Sequence, residues 1–332
     1  MKYQPIDRAP GAFQQAVPPQ AIEEMCRRAF GPGTEVLTAV ELGGGMYNST
    51  YRLEFADGRQ TVLRVAPEPD RQFRSERALM RNEYATVPYL APVAHLVPRV
   101  LAADFTHQVL GRDHLFQTFL DGLPAPQGLP LHPRPAWRGF YAQLGTVARE
   151  IHGVRGPWFG PVAGPGHRTW SEAVLAGLAN IAADLADTGT PFDDVEELIA
   201  LAGRHRAVLD RITEPRLLHG DLWNINLMLS PDAPAPVITG VLDCDRAHWG
   251  DPEADWTIFM AARRPGTERD AFWDTWGPLA TDPEAAWRRL LYTARHLAAV
   301  RLESVRLADP EQAAATVDDL QALLDRLAPG VR

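Results

Sequence analysis

Three oxygen-bearing side chains in the second half of the chain have the types and spacing that phosphoryl transfer to a hydroxyl requires. Asp221 closes a His-Gly-Asp turn, Asn226 follows it by five residues, and Asp243 ends a later apolar run. This reaction needs a carboxylate that orients the attacking hydroxyl and accepts its proton, and oxygen ligands for the magnesium ion that neutralises the nucleotide phosphates. Asp221 can supply the carboxylate, and Asn226 and Asp243 can supply the ligands.

Two short apolar runs are expected to position these side chains. Residues 227–229 and 237–242 predict two antiparallel strands separated by a Ser-Pro-Asp break. Such a hairpin would bring Asp243 back beside the loop that carries Asp221 and Asn226. The alternative is that Asp221 caps a turn and Asn226 satisfies loop backbone, which are ordinary tasks for these residue types. The second Asp at the end of an apolar strand favours the chemical role.

This stretch resembles the aminoglycoside phosphotransferase family, whose members are small-molecule kinases with the two-lobed protein-kinase fold. The family's catalytic loop H-G-D-x-x-x-x-N appears here as HGDLWNIN, its metal strand I-D-x-x as LDCDR, and Gly-Asp-Pro follows. The resemblance implies that Asp221 is the catalytic carboxylate and that Asn226 and Asp243 bind magnesium. It also implies that Asp255 braces the catalytic loop. Asp251 precedes a proline and is therefore predicted to cap a helix.

The first part of the chain is expected to hold the nucleotide. Residues 36–42, 50–54 and 61–65 predict three strands, with three glycines in the first turn and Asp-Gly in the second. Glycines allow phosphate oxygens to approach the backbone N–H groups closely. The string GGGMYNSTYRL is similar to the family's glycine-rich hairpin. The resemblance implies nucleotide contacts from four residues: Gly44, Gly45, Asn48 and Ser49.

Arg64 stands where kinases usually keep the lysine that holds the α and β phosphates. The only lysine of the chain is Lys2, and hygromycin-type members of the family also have Arg at this position. An arginine can hold phosphates as a bidentate fork. Glu83 is the expected helix partner of Arg64, and Glu76 is a rival candidate. The alternative for Arg64 is a solvent-facing position on an edge strand.

A buried strand predicted at 115–120 should connect two lobes. An Asp-Gly pair ends it where the family's hinge passes the adenine, so backbone groups near Phe119 and Leu120 are expected to bind the base. We expect ATP by default, with GTP as the alternative. The expected fold is α+β and protein-kinase-like. It would have a small N-terminal antiparallel-sheet lobe that binds nucleotide, residues 1–120, and a larger, mainly helical catalytic and substrate-binding lobe, residues 121–332.

The second lobe is predicted to contain several amphipathic helices. An apolar stripe over 137–151 predicts a core helix, with His152 as a packed residue at its end. A loop rich in Gly and Pro, 156–166, resembles the insertion that builds the acceptor site in hygromycin-type kinases. Thr169 then begins a capping box that opens the next helix. The C-terminal part is expected to form a long helix at about 283–307.

The net charge of the chain is compatible with a cationic acceptor. The net charge of −9 argues against a nucleic-acid-binding face, which needs clustered basic residues. Asp245, Glu303 and Trp223 are candidates for contacts with the acceptor. Asp245 could instead bind a second magnesium ion or local backbone N–H groups, and Glu303 could form an exposed helical ion pair with nearby arginines. Trp223, like Trp249 and Trp256, could instead fill the core.

Several classes of protein are excluded or disfavoured. Without a second lysine a P-loop cannot form, and no G-x-S-x-G or H-E-x-x-H motif occurs. A protein kinase is disfavoured because no D-F-G or A-P-E motif follows Asp243, and the chain goes directly into the Gly-Asp-Pro helix start. Cys26 and Cys244 have neither metal nor redox spacing. With no apolar export signal and no membrane-length apolar run, a cytoplasmic protein without a membrane partner is expected.

The sequence therefore predicts a magnesium-dependent, ATP- or GTP-using O-phosphotransferase that acts on a small-molecule hydroxyl. We expect the acceptor to be an antibiotic of aminoglycoside, hygromycin-like or nucleoside type, so that transfer gives resistance. One alternative is a metabolic kinase of choline, homoserine or a sugar. A second alternative is a nucleotide-binding regulator that has lost catalysis. The sequence leaves the acceptor hydroxyl and the oligomeric state open.

Overall fold

The computed structural model describes residues 1–9 and 11–331. Its N-terminal part is a six-stranded sheet with two helices. The strand order is β1-β2-β3-β4-β6-β5, and all neighbours are antiparallel except β1 and β2. The elements are β1 (Lys2–Gln4), α1 (Pro19–Phe30), β2 (Val36–Leu42), β3 (Ser49–Phe55), β4 (Gln60–Val65), α2 (Leu79–Thr86), β5 (Val100–Asp104) and β6 (His114–Thr118). The three predicted hairpin strands are therefore present.

The strand at the lobe connection is shorter than predicted. β6 ends at Thr118, whereas residues 115–120 were expected to be extended, so Phe119 and Leu120 lie just beyond the strand. Gly122 follows with a φ of 143°, and a Cβ there would come within 2.8 Å of the Leu229 carbonyl oxygen. This close approach turns the chain away from the sheet and packs the connection against the second lobe.

The remainder of the chain is mainly helical, with two small three-stranded sheets. Its elements are β7 (Leu123–Pro124), α3 (Ala125–Gly128), α4 (Trp137–His152), β8 (Gly160–Pro161), α5 (Trp170–Asp187), α6 (Asp193–Arg204), α7 (Arg206–Leu209), β9 (Arg216–Leu218), β10 (Leu227–Leu229), β11 (Ile238–Val241), β12 (His248–Gly250), α8 (Trp256–Ala262), α9 (Ala271–Trp276), α10 (Pro283–Arg306) and α11 (Pro310–Leu327). The strand orders are β11-β10-β7 and β8-β12-β9. The predicted hairpin is β10 and β11, with the second strand shorter at both ends than expected.

The helices begin and pack as their sequence patterns indicate. Thr169 caps α5 and forms the expected capping box with Glu172. Asp251 accepts a hydrogen bond from the Glu253 N–H and so caps a short 3-10 turn, as predicted. The apolar stripe of α4 is buried in the core of the second lobe, where each large side chain contributes about 2 kcal/mol by leaving water. Among residues 1–9 and 11–331, no helix has the length and apolar character needed to cross a bilayer.

Candidate active site

The backbone of the turn that carries Asp221 is hydrogen-bonded to the side chain of Asp255. The carboxylate of Asp255 is completely buried and accepts hydrogen bonds from the backbone N–H groups of His219 and Gly220, both at 3.0 Å. It also accepts one from His152 Nε2 at 2.8 Å. Burial raises the pKa of Asp255, but the hydrogen bond from His152 and the neighbouring histidines favour the charged carboxylate and lower the pKa below its usual range. The bracing position implied by the resemblance is the one that this side chain occupies.

His152 is a structural residue, as expected. The Trp276 indole donates to His152 Nδ1 at 2.9 Å, which leaves Nε2 to carry the proton that is donated to Asp255. Gly220 also contacts a second segment of the chain. Its φ of 82° brings the α-carbon against the Arg246 carbonyl. The backbone of the His-Gly-Asp turn is therefore fixed before any ligand arrives.

Asp221 and Asn226 lie side by side. The Asn226 amide donates to the Asp221 carbonyl at 2.8 Å and to its carboxylate at 2.9 Å. Burial raises the pKa of Asp221 to about 7; Arg246 opposes this rise, and Asp243 and Glu303 add to it. A carboxylate with such a pKa can accept a proton near neutral pH, which is what a general base requires.

Asp243 joins Glu83 and Asp245 in a group of carboxylates that could hold a cation. One oxygen of each residue lies within 4.8 Å of the others. Burial, together with the neighbouring Asp243, raises the pKa of Asp245 well above its usual range, although Arg64 and Arg246 oppose the rise. Oxygen ligands of this kind are the ones that Mg²⁺ prefers, so the residues present fit a magnesium ion. Asn226 lies beside this group of carboxylates, because its backbone carbonyl accepts a hydrogen bond from the N–H of Leu242, the residue before Asp243, at 2.9 Å.

The backbone at this group is specialised. Asp243 has a φ of 63°, in the left-handed region, and begins a 3-10 turn over Cys244–Arg246. The Asn82 amide of α2 donates to the carbonyls of Asp245 and Ala247 at 2.8 and 2.7 Å. Because Glu83 follows Asn82, this contact fixes the distance between Glu83 and the two aspartates across the lobes.

Arg64 on β4 is buried and faces these carboxylates, so it is not a solvent-facing residue. Its guanidinium lies 2.5 Å from Glu83, contacts Asp243, and comes within 3.8 Å of Asp245. Glu83 also accepts from the Gln117 amide at 2.9 Å. Glu83 is thus the helix partner of Arg64. The rival, Glu76, pairs with Arg246 and Arg306 instead.

The glycine-rich turn between β2 and β3 is only partly available to a ligand. Gly44 has a φ of 96°, and a Cβ at Gly44 or Gly45 would meet open space. Asn48 is buried, and its Oδ1 has no partner among residues 1–9 and 11–331. The Ser49 hydroxyl, however, donates to the Gln15 carbonyl at 2.8 Å and is only 3% exposed. The chain's own backbone therefore already occupies the Ser49 hydroxyl, and the expected contact of Ser49 with the nucleotide stays a prediction.

The N-terminal segment 11–17 covers this turn, which the sequence analysis missed. Gln14 donates to the carbonyls of Gly45 and Asn48 at 3.1 and 2.8 Å. Arg71 donates to the carbonyls of residues 11–13. No sequence motif indicates these contacts, since they are made by ordinary polar residues to backbone oxygens.

A second contact missed by the sequence analysis joins the lobes at the end of α10. The Arg306 guanidinium lies 4.5 Å from the ring centre of Phe13 and 4.4 Å from that of Phe73, and it pairs with Glu76. The Tyr47 hydroxyl of the glycine-rich turn donates to the Glu76 carbonyl at 3.0 Å. The glycine-rich turn is therefore connected to the C-terminal helix through buried charge and aromatic rings.

Two of the three candidates for acceptor contacts, Asp245 and Glu303, lie in different surroundings. Asp245 is 4% exposed and lies among the metal-capable carboxylates, so its placement favours a metal over an acceptor. Glu303 is half-buried and raises the pKa of Asp221. The alternative role of Glu303, an ion pair with a nearby arginine, is not seen among residues 1–9 and 11–331, because Arg301 pairs with Asp194 and Arg306 with Glu76.

The tryptophans divide between core and cleft. Trp249 is completely buried and cannot stack on a ligand. Trp223, two residues after Asp221, is half-buried and lines a small cavity with Tyr141 and Met260. Trp256 packs against Phe259 and His296, so its ring is also part of an aromatic cluster.

Comparison with known proteins assigns the chain to a family and confirms the fold. A family model described as "Phosphotransferase enzyme family" matches residues 38–293. The chain is 25% identical over 256 residues to "Probable ketoamine kinase YniA" of Escherichia coli strain K12, which covers 71% of this chain and 77% of that protein.

Solved structures are similar over nearly the whole chain. The GDP complex of wild-type aminoglycoside 2'-phosphotransferase-IIIa has a TM-score of 0.63 at 18% identity, covering 92% of this chain and 98% of that one. A thermostable mutant of aminoglycoside phosphotransferase APH(4)-Ia, in a ternary complex with AMP-PNP and hygromycin B, has a TM-score of 0.60 at 17% identity, covering 93% and 99%. The predicted two-lobed protein-kinase-like fold is confirmed.

Proposed function

The chain belongs to the phosphotransferase enzyme family and is a small-molecule kinase, and we propose that it transfers the terminal phosphoryl group of a magnesium-bound nucleotide to a hydroxyl of an antibiotic. The observation that carries this proposal is the meeting of Asp221, Asn226 and Asp243 in one cleft. Asn226 touches Asp221 and is tied by its carbonyl to the residue before Asp243. These three side chains supply the base and the metal ligands that the reaction needs.

Asp221 is the proposed base. It aligns the acceptor hydroxyl with the terminal phosphate and accepts the proton as the new P–O bond forms and the bond to the nucleoside diphosphate breaks. Its pKa of about 7 suits that task. The fixed backbone of the His-Gly-Asp turn, held by Asp255, keeps the carboxylate in place during transfer.

Asn226 and Asp243 are the proposed magnesium ligands, and Asp245 is placed to assist them. A bound magnesium ion would neutralise the phosphate oxygens and hold them in line with the acceptor. Arg64, positioned by Glu83, is proposed to hold the α and β phosphates once it is released from Asp243. Gly44, Gly45, Asn48 and Ser49 would then cover the phosphates.

The two lobes are proposed to bind different parts of the reacting complex. Residues 1–120 are the proposed nucleotide-binding lobe, and the backbone at Phe119 and Leu120 is proposed to bind the base. Residues 121–332 are the proposed catalytic and acceptor-binding lobe. Main-chain recognition of the base is compatible with ATP and with GTP, and the similar structures were solved with GDP in one case and AMP-PNP in another.

An antibiotic acceptor is supported by the similar structures, which include aminoglycoside phosphotransferases in complex with kanamycin and with hygromycin B. A phosphate adds about −2 of charge near neutral pH, which is enough to disrupt the binding of a drug to its target. A metabolic kinase remains the second candidate, favoured by the similarity to a protein named as a ketoamine kinase. A regulator without catalysis is not retained, because the proposed base and metal ligands are all present and assembled.

The test is a panel of acceptors assayed with Mg-ATP and Mg-GTP for a product that gains one phosphate. The panel contains aminoglycosides, hygromycin B, peptide and nucleoside antibiotics, choline, homoserine, sugars and ketoamines. Asp221→Asn should lower the turnover of any true acceptor by about 10²- to 10⁴-fold while leaving nucleotide affinity within a factor of three. Transfer only to choline, homoserine, a sugar or a ketoamine would replace the antibiotic by the metabolic acceptor, and a fully active Asp221→Asn would remove the proposed base.

A further inference from the structure

Three segments of the first lobe meet at one guanidinium of the second lobe, that of Arg306 at the end of α10. The ring of Phe13 comes from segment 11–17, that of Tyr47 from the glycine-rich turn, and that of Phe73 from the connection between β4 and α2. The ring centres lie 4.5, 5.7 and 4.4 Å from the guanidinium, respectively. Attraction between a cation and aromatic rings therefore holds all three segments at the same point.

Glu76 is the counter-ion of this guanidinium and also contacts the glycine-rich turn. The side chains of Arg306 and Glu76 form an ion pair and are only 8% and 4% exposed. The Glu76 carboxylate accepts a hydrogen bond from the Phe73 N–H at 3.2 Å, and its backbone carbonyl accepts one from the Tyr47 hydroxyl at 3.0 Å. Glu76 therefore binds the arginine, its own segment and the turn through separate atoms.

The connection 73–76 belongs to the first lobe in sequence but is packed on the second lobe. Phe73 packs against the hydrophobic core that includes α5 and α10. The backbone N–H of Arg74 donates to the carboxylate of Asp184 on α5 at 3.0 Å, and its guanidinium donates to the same carboxylate at 2.7 Å. The position of Glu76 is therefore set by the second lobe.

Glu76 also contacts the segment that packs against the His-Gly-Asp turn. Its carboxylate lies 3.4 Å from Arg246 Nη2. The backbone carbonyl of Arg246 lies so close to Gly220 that a Cβ there would come within 2.2 Å of the oxygen. Arg246 is also the last residue of the 3-10 turn that begins after Asp243. Glu76 thus connects the glycine-rich turn with the turns that carry the proposed base and metal ligand.

The glycine-rich turn is held by its backbone on one side and is open on the other. Gln14 donates to the carbonyls of Gly45 and Asn48 at 3.1 and 2.8 Å, in addition to the contact of Tyr47 with the connection 73–76. A Cβ at Gly44 or Gly45 would nevertheless meet nothing within 4 Å. The turn is therefore anchored while space for a phosphate group remains beside its glycines.

We propose that Arg306 and Glu76 are positioning residues that hold the glycine-rich turn in place over the nucleotide phosphates, at a fixed distance from Asp221 and Asp243. This inference rests on the proposed phosphotransferase function, and it assigns a role to two residues that act through the turn. A turn that is ordered before the nucleotide arrives loses less conformational entropy on binding, so the nucleotide is bound more tightly. Loss of the ion pair should therefore free the turn and weaken nucleotide binding.

Arg301 offers a matched control on the same helix. It is 1% exposed and pairs with Asp194 at 2.8 and 2.5 Å. Its other hydrogen bonds go to Pro191 and Thr316, so all of these partners belong to the second lobe. Replacement of Arg301 or Arg306 by Gln leaves a largely buried carboxylate without its counter-ion, and both variants should lose stability.

Two measurements separate positioning of the turn from a general loss of stability. Hydrogen exchange of the ligand-free protein reports how readily residues 43–48 open. Calorimetry with Mg-AMP-PNP and Mg-GMP-PNP reports nucleotide affinity without any acceptor, and the analogue that the wild type binds more tightly is used for the variants. The variants are Arg306→Gln, Arg306→Lys, Arg301→Gln and Arg301→Lys.

We expect Arg306→Gln to accelerate exchange at residues 43–48 and to weaken binding of the analogue by about tenfold. Arg306→Lys should change both quantities less, because it keeps the charge beside Glu76 but lacks the planar group that contacts the rings. Arg301→Gln should lose a similar amount of stability, yet leave the exchange of residues 43–48 and the affinity for the analogue as in the wild type.

Equal effects of Arg306→Gln and Arg301→Gln on exchange and affinity would overturn the proposal, as would an unchanged affinity in Arg306→Gln. If Arg306→Gln does not fold, the two Lys variants are compared by the same criteria. A wild-type protein that binds neither analogue would overturn this inference and the proposed function together. Weaker binding in Arg306→Gln, without transfer to any acceptor of the panel by the wild type, would count against the proposed function alone.

Discussion

The carboxylate of Asp243 contacts the guanidinium of Arg64, although 179 residues separate them in the chain. Arg64 comes from the sheet of the first lobe, and Asp243 follows the β10–β11 hairpin of the second. The contact therefore joins the lobes through the two residues that are proposed to hold the phosphates and the metal. Because a cation bound to Asp243 would compete with Arg64 for the same carboxylate, binding of magnesium and release of the arginine toward phosphate should occur together.

The first prediction concerns the metal. Asp243→Ala should weaken the binding of Mg-AMP-PNP by at least about tenfold, because it removes a charged oxygen ligand from the group of carboxylates. The affinity should be measured by calorimetry with and without magnesium. Chelation of magnesium should lower the wild-type affinity toward that of the variant. Asp318→Ala is the control, since Asp318 is exposed on α11; equal affinities of the two variants would contradict the metal role of Asp243.

The second prediction concerns the brace. Asp255→Asn should lower the free energy of unfolding by about 2 kcal/mol, because the amide cannot accept from His152 and both backbone N–H groups without turning a donor toward one of them. Turnover should fall as well, since the same bonds position Asp221. Urea unfolding measures the first effect, with Asp318→Asn expected to change stability by less than about 0.5 kcal/mol. A variant that is as stable as the control would show that the brace is dispensable.

The His-Gly-Asp turn, the β10–β11 hairpin and the fold could be predicted because they depend on local signals. HGDLWNIN and the following apolar strands specify the loop and hairpin within 25 residues of chain. The contact of Arg306 with Phe13 and Phe73 could not be predicted, because nothing in the sequence relates an arginine at the end of α10 to two rings more than 200 residues earlier in the chain. The bond from the Ser49 hydroxyl to the Gln15 carbonyl could not be predicted either, since every residue offers a backbone carbonyl as a possible acceptor.

The third prediction concerns acid stability. Burial, reinforced by Arg295, lowers the pKa of His296 to about 3, and its ring packs against Trp256 and Phe259. The unfolded chain binds this proton near pH 6.5, whereas the folded chain does not. The stability present above pH 6.5 is therefore lost as the pH falls from there toward 3, by about 2 kcal/mol at pH 5.

His296→Phe keeps an aromatic ring but cannot be protonated. Its free energy of unfolding should fall less steeply between pH 7 and pH 5 than that of the wild type, whatever its stability at pH 7. Denaturant unfolding at a series of pH values gives both slopes. Parallel slopes would show that His296 titrates alike in the folded and unfolded chain.

The last prediction separates backbone strain from steric contact at the catalytic turn. Gly220 and Gly189 both have positive φ, 82° and 71°, and each would be strained by about 1 kcal/mol or more on replacement by Ala. A Cβ at Gly189 meets nothing within 4 Å, whereas one at Gly220 would lie 2.2 Å from the Arg246 carbonyl oxygen. Gly220→Ala must therefore displace either the turn that carries Asp221 or the segment that follows Asp245.

We expect Gly189→Ala to keep full turnover with a modest loss of stability. Gly220→Ala should lose stability and also lose at least about tenfold in turnover. Urea unfolding measures the stability of each variant, and the transfer assay measures its turnover. Equal behaviour of the two variants would mean that the close approach of Gly220 to Arg246 does not constrain the catalytic turn.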